Sequence, residues 1–309
     1  MFLKQRHPFQ TLLLLLVWTV AGAFVMILLT LLILWLIKGS VVFSGMLPGQ
    51  SFEQMDIVSM KWLQLGSSIG MFILPPILLG LTSDPKERYY EWSGRLTPLL
   101  FLMVGAMLFA FAPIMNWIIE LNSQLRLPES WAALEEWILI KEKEMEQLTT
   151  LFLKDTRLSD LFLNLLVMAV APAIGEELFF RGALQKIAMQ WFGNPHVAIW
   201  VISILFSAIH MQFMGFFPRF ILGLLFGYLY FWSNNLWLPI FAHFVNNATV
   251  VIAAFVLQRK GKSIDDVGFE EQLPLHLYAV CALVSVLLLY QFWKQTRVAN
   301  RQNNGEKLG

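Results

Sequence analysis

A-P-A-I-G-E-E-L-F-F-R-G, Ala171 to Gly182, places two adjacent carboxylates, Glu176 and Glu177, and one cation, Arg181, inside a long apolar run. Charges at membrane depth are unfavourable by roughly 3 kcal/mol each on insertion scales and by more in simulations. They persist where they pair, line a wet cavity or take part in chemistry. No other apolar stretch of the chain gathers two acids and a base so closely. On a helix Glu177 and Arg181, four residues apart, meet on one face, while Glu176 is rotated by about 100° and points elsewhere. The labour divides accordingly: Glu177 pairs with Arg181 and holds the local structure, and Glu176 faces a site as a general base for water. The plainer alternative is an ion pair at the membrane interface with Glu176 merely solvated.

Around this stretch the composition is that of a membrane protein. The 309 residues are 57% hydrophobic and 14% charged, against about 45–50% and about 25% in soluble domains, and the mean hydropathy is +0.62. A net charge of +1 with no basic face excludes a nucleic-acid partner. One cysteine, Cys281, permits neither an intrachain disulfide nor a Cys-rich zinc site. The fold class is an all-α, polytopic transmembrane helix bundle of about eight spans with one amphipathic interfacial helix. Expected spans are 11–37, 62–81, 98–119, 158–174, 196–214, 218–232, 237–257 and 275–293. The first follows a basic start and is longer than the apolar core of a cleavable signal, so it is read as a retained span with a cytoplasmic N-terminus. Pro75-Pro76 is expected to kink or end the second span, Pro113 to bend the third, and Pro172 with Gly175 to break or bend the chain just before the carboxylates. Helix then resumes to Phe192. Gly223 and Gly227, four apart, allow close helix packing.

Eight spans put both ends in the cytoplasm, as Lys294, Arg297 and Arg301 support. Arg259, Lys260 and Lys262 then fall outside, against the positive-inside rule, and the short sixth span is the element whose crossing is in question. Between the third and fourth spans, 129–152 is polar and helical in period. Trp131, Leu134, Ile138, Met145, Leu148 and Phe152 share one face, which suits a helix on the membrane surface, or a lid over an active site. The chain divides into an N-terminal membrane region (1–157), a catalytic helical core (158–257) and a last span with a disordered polar tail (258–309).

Two further constellations carry chemistry. Ser203, Ser207 and His210 form one polar stripe on an apolar span, which could also serve interhelical hydrogen bonding. His243 and Asn247 lie one turn apart on another, with Asn246 pointing away. An amide donates to a developing oxyanion, and an imidazole donates or binds a metal. There is no H-E-x-x-H, which removes the zincin reading, and no G-x-S-x-G, which leaves the serine-hydrolase reading weak. His7, His196 and His276 sit at span ends or in loops and are interfacial.

At these residues the chain resembles the CPBP family of intramembrane proteases, also called the CAAX protease and bacteriocin-processing (Abi) family. Its pattern E-E-x-x-x-R, F-x-x-x-H, H-x-x-x-N is matched in order by Glu176-Glu177 to Arg181, Phe206 to His210, and His243 to Asn247, over roughly 158–257. The resemblance implies an all-α membrane endopeptidase; its eukaryotic relatives remove the last three residues of prenylated C-a-a-X proteins. It implies that Glu176 activates water with help from His210, that His243 and Asn247 stabilise the oxyanion, and that Glu177 and Arg181 support the site. The family is often called a metalloprotease, and Glu176, His210 and His243 are the residues that could hold zinc. A metal-free glutamate mechanism uses the same residues and is preferred, because an oxyanion role for His243 leaves too few ligands. The expected partners are a peptide or membrane-protein substrate and the lipid bilayer. The expected location is a multi-pass position in a prokaryotic inner membrane, where a C-a-a-X substrate is doubtful. A non-catalytic immunity or scaffold protein that keeps the fold is the alternative, and a proton-coupled transporter is disfavoured by the lack of an inverted repeat.

Overall fold

Apolar sequence becomes helix throughout the computed structural model, which describes residues 6–43, 56–83, 89–262 and 273–303, with backbone alone for 43 and 299–303. Helix α1 is Pro8–Lys38, with proline in its first turn and the His7 ring accepting the Phe9 N–H. Helices α2 (Ile57–Ser68) and α3 (Leu74–Thr82) are joined by a π-helical turn, Ile69–Ile73. Helix α4 (Pro98–Ser123) runs on through Pro113, and α5 (Ala132–Leu153) is the amphipathic helix. A single long rod follows: α6 (Leu158–Leu165), a π turn (Leu166–Val170), α7 (Ala171–Glu176), a π-helical segment (Glu177–Leu184) and α8 (Gln185–Phe192). Helices α9 (Pro195–Ala208), α10 (Phe216–Ser233), α11 (Trp237–Arg259) and α12 (Leu275–Asn303) complete the chain. Among the described residues no strand occurs.

Among the described residues seven segments are long and apolar enough to cross a membrane, so the molecule is a polytopic helical bundle. The fifth expected span, which with the turn after it carries the chain from one end of the bundle to the other, is the short one. Helix α9 has 14 residues and rises only about 21 Å, against a hydrocarbon core about 30 Å thick. The sixth, α10, whose crossing was in question, has 18 residues and is long enough. The helix expected to reach Met214 stops at Ala208 because the hydrogen bonds tighten there. His210 N–H donates to Ser207 O and Met211 N–H to Ala208 O, and Met211 takes φ 53°, the left-handed conformation that ends helices. His210 therefore lies in a turn, 209–215, and not on a span.

The faults expected at Pro75-Pro76 and at Pro172 with Gly175 take the form of π turns and not of helix ends. A proline lacks an N–H, and its ring crowds the carbonyl four residues back. In both rods a π turn just upstream widens the coil and absorbs the fault: Leu74 N–H reaches Ile69 O, and Ala171 N–H reaches Leu166 O. The rods stay continuous, so the carboxylates project from helix.

Contacts sort the helix ends into two groups. Arg6 donates to Thr82 O, Phe9 meets Trp191, Trp92 meets Trp237, and Leu100 shares a core with Phe292. At the opposite end Trp117 meets Tyr278, and Asn122 bonds Phe213 and Phe217. The start of α1 and the C-terminal part of α12 thus lie at one end of the bundle, and Arg259, Lys260 and α5 lie at the other. The C-terminal part of α5 is anchored, with Leu153 buried beside Val251 and Ala254, Phe152 O accepting from Asn164, and the Lys61 ammonium over the Phe152 ring. Trp131, Leu134 and Trp137 near its start are exposed, as on a helix lying along an interface. Residues 1–5, 44–55, 84–88 with Lys86 and Arg88, 263–272 and 304–309 lie outside the described residues. The stretch from Lys294, expected to be disordered, continues α12 to Asn303.

In a Cys281→Ser background, single cysteines at Gly193 and at Trp137 should react with a membrane-impermeant thiol reagent from opposite sides of the bilayer. Labelling of both from one side would reject this arrangement of ends.

Candidate active site

The π-helical segment keeps Glu177 and Arg181 on one face, as the spacing requires. Arg181 Nη1 lies 2.9 Å from Glu177 Oε1, with side chains 1% and 0% exposed. Nη2 donates to Gly223 O at 3.0 Å, and one turn on Gln185 Nε2 donates to Gly227 O at 3.3 Å. Glycine is needed at both acceptor positions. A Cβ on Gly223 would stand 3.1 Å from the Ser203 Cβ, and one on Gly227 would stand 2.8 Å from Ile199 Cγ2. The close approach read from their spacing is what lets α9 and the long rod reach the α10 backbone. The guanidinium carbon also lies 4.5 Å from the Phe206 ring centroid and 5.4 Å from that of Phe226. Cation–π attraction strengthens where water is absent.

His243 is the hinge between the two carboxylates. Its Nδ1 is 2.8 Å from Glu177 Oε1 and its Nε2 is 4.0 Å from Glu176 Oε2. The ring stacks on Phe226 at 5.2 Å with planes 20° apart and meets the edge of Phe206. A carboxylate already engaged by arginine accepts hydrogen bonds, so Nδ1 carries a proton and Nε2 is the nitrogen turned towards Glu176. Glu176 Oε2 is buried with no hydrogen-bond partner.

His210 Nδ1 is 2.7 Å from Phe206 O. A carbonyl only accepts, so this nitrogen too is protonated, and the lone pair is at Nε2. The turn that carries His210 is tied at several points. Asn122 bonds Phe213 O and the Phe217 N–H, Ser207 Oγ donates to Phe216 O, and Glu142 of α5 accepts the Met214 N–H at 2.8 Å. Helix α5 therefore lies over the turn as well as along the interface.

Glu176, Glu177, Arg181 and His243 are in mutual reach, and the Phe206 ring lies between His243 and His210, with ring centroids 6.1 and 5.3 Å away. Asn247 is placed differently. Its Nδ2 donates to Met168 O at 3.1 Å, and its Oδ1 accepts from Asn246. Met168 is four residues before Pro172, so its carbonyl has lost its helical donor. Asn247 restores the missing bond from the neighbouring helix, and its second amide hydrogen stays free.

Zinc would need three protein donors converging at about 2.0–2.2 Å. Among the described residues no three His, Cys, Asp or Glu side chains are so gathered. Glu176, His210 and His243 do not fit a zinc ion in this arrangement.

One charged residue escaped the sequence reading. Arg219, in the first turn of α10, donates to Gln212 Oε1 in the turn that carries His210 and that Glu142 caps through the Met214 N–H. It was taken as the edge of a span beginning at 218. An arginine inside an 18-residue apolar segment was the signal that could have found it.

Residues 158–249 match the family model of the Rce1-like type II CAAX prenyl endopeptidases, and this segment holds all six expected site residues. The uncharacterized protein YpbD of Bacillus subtilis (strain 168) is 34% identical over 92 residues, which are 28% of this chain and 41% of that protein. The chain thus spans about two fifths of the length of the curated relative it matches. No solved structure matches. The family resemblance read from the three motifs is borne out across the segment that carries them.

Two stability outcomes follow. Arg181→Met leaves Glu177 buried without its counter-ion and should destabilise the protein by about 3–5 kcal/mol, read as thermal or denaturant unfolding in detergent. Asn247→Leu strips the Met168 carbonyl and should destabilise by about 1–3 kcal/mol. In a Pro172→Ala background, where a backbone N–H is restored, the Asn247→Leu loss should shrink. An unchanged loss would show that Asn247 and Pro172 are not coupled.

Proposed function

We propose that the protein is an intramembrane endopeptidase that hydrolyses a peptide bond with water activated by Glu176. The observation that carries this reading is the pairing of Glu176 Oε2, buried and unbonded, with His243 Nε2 at 4.0 Å. That gap is too wide for a direct hydrogen bond and suits an oxygen bound between the two groups. The family match over 158–249 supports a protease of CAAX type.

In this mechanism Glu176 removes a proton from water as the oxygen attacks the scissile carbonyl. The carbonyl π pair moves onto oxygen and a tetrahedral oxyanion forms. When the C–N bond breaks, the proton held by Glu176 passes to the departing amine. His210, with its lone pair at Nε2, accepts from the attacking water and orients it. His243, with its Nδ1–H held by Glu177, carries the lone pair at Nε2 and so orients the site without donating to the developing oxyanion; the free amide hydrogen of Asn247 is the donor. Arg181 neutralises Glu177, so that His243 keeps its orientation without an uncompensated charge beside it. No step requires a metal. The substrate is a peptide or a membrane protein reaching the bundle through the bilayer, and α5, tied to the catalytic turn through Glu142, is its cover. The location we infer is a prokaryotic cell membrane.

Cleavage of a quenched fluorescent peptide library by detergent-purified protein tests this. Glu176→Gln keeps the shape and removes the base, so kcat should fall by about 10²–10⁴, while a strong chelator should leave wild-type cleavage unchanged. Unimpaired cleavage by Glu176→Gln would reject the assignment. Loss with chelator and recovery with zinc would replace the metal-free mechanism.

A further inference from the structure

Arg219 is the remaining cation of the site. Its Nη2 donates to Gln212 Oε1, at the far side of the catalytic turn, which fixes the plane of the guanidinium. Its Nη1 lies against Gly215: a Cβ built there would collide with Nη1 and stand 2.9 Å from Cζ. Its Nη1 is buried and has no hydrogen-bond partner. Three groups around it carry or share charge: Glu176 on the long rod, His210 on the same turn and Glu142 on α5. A half-buried guanidinium with a buried, unused N–H, clamped at its other nitrogen and within the field of a general base, has the form of a preorganised anion site.

The other donors near Glu176 are largely committed. Arg181 is spent on Glu177 and Gly223 O, His243 Nδ1 on Glu177, and one amide hydrogen of Asn247 on Met168 O. Neutral donors alone would meet a full negative charge arising next to a second carboxylate, Glu177. A fixed positive charge is what this arrangement otherwise lacks.

We propose that Arg219 is a catalytic residue whose Nη1 binds the tetrahedral oxyanion, with Gln212 and Gly215 as its positioning residues. The inference rests on the peptidase reading above and adds the group that balances charge in its transition state. Bond changes are those already given; Arg219 gains a hydrogen bond and neither donates nor takes a proton. Because the interaction is stronger with the oxyanion than with the ground-state carbonyl, it acts on kcat more than on KM.

The test compares wild type with Arg219→Gln, Arg219→Lys and Gly215→Ala, using a cleaved library peptide and its phosphinate analogue, whose anionic oxygens imitate the intermediate. Arg219→Gln should lower kcat by about 10²–10³, change KM by less than about threefold, and weaken phosphinate binding by the same factor as kcat/KM. Arg219→Lys, which keeps the charge without the fork, should fall between. Gly215→Ala keeps every charged group but displaces the guanidinium, so it should lower kcat while the unfolding temperature stays close to wild type. It answers the question if Arg219→Gln fails to fold. Unchanged kcat and phosphinate affinity in Arg219→Gln, or in Gly215→Ala where that variant must serve, would overturn the proposal, as would a loss confined to KM. Wild-type protein that neither cleaves the library nor binds the phosphinate would overturn the peptidase reading and this inference with it. Cleavage indifferent to Arg219 would overturn only the inference.

Discussion

A guanidinium enclosed in an apolar bundle must be neutralised and hydrogen-bonded, and Arg181 imposes that demand on every element near it. One carboxylate a turn away cancels its charge. A second nitrogen needs an acceptor, and within a helical bundle the available acceptors are backbone carbonyls shielded by side chains. A glycine exposes its carbonyl where a side chain would stand in the way, which accounts for Gly223 and for the closeness of α9. The faces of Phe206 and Phe226 supply the remaining favourable field. The same two rings then confine His243, so the histidine nearest Glu176 is oriented by the structure that keeps Arg181 comfortable. The ion pair and the catalytic geometry are one construction.

Much of this was legible in the sequence because it depends on short-range spacing. The i,i+4 relation of Glu177 and Arg181, the four-residue step of Gly223 and Gly227, and the apolar lengths of most rods are local properties. What could not be read depends on tertiary partners. Proline in a helix predicts a fault in the coil, but whether the chain kinks or winds a π turn is decided by its neighbours. At Pro172 the neighbour is Asn247, whose amide was expected to serve the oxyanion alone and is also occupied in repairing the coil. His210 looked like part of a span because Phe213 and Met214 are apolar. Their backbone instead turns to meet Asn122 and Glu142, which are far away in sequence. Arg219 was hidden for a similar reason: at a span edge an arginine is ordinary, and only the turn folding back over it makes it internal.

The two histidines reach the same protonation pattern by different means. His243 gives its Nδ1 proton to a side chain that is itself held by arginine; His210 gives its own to a main-chain carbonyl one turn back. Each ring is thereby fixed with Nε2 available, without any third residue dedicated to the purpose. Phe206 contributes twice, as the carbonyl that holds His210 and as the ring that faces Arg181. A phenylalanine at the head of the F-x-x-x-H pattern thus belongs to the site although it performs no proton transfer.

The Glu177–Arg181 pair is complete within a single helix, and that has a consequence for how the protein is made. The rod 158–192 is synthesised before Gly223, Phe226 and His243 exist. An arginine that relied on those later residues would enter the bilayer unaccompanied. Because its counter-ion is one turn away in the same segment, the rod can partition with two of its three central charges already cancelled, and the later helices assemble around a pre-neutralised core. The order of synthesis and the order of electrostatic dependence run in the same direction.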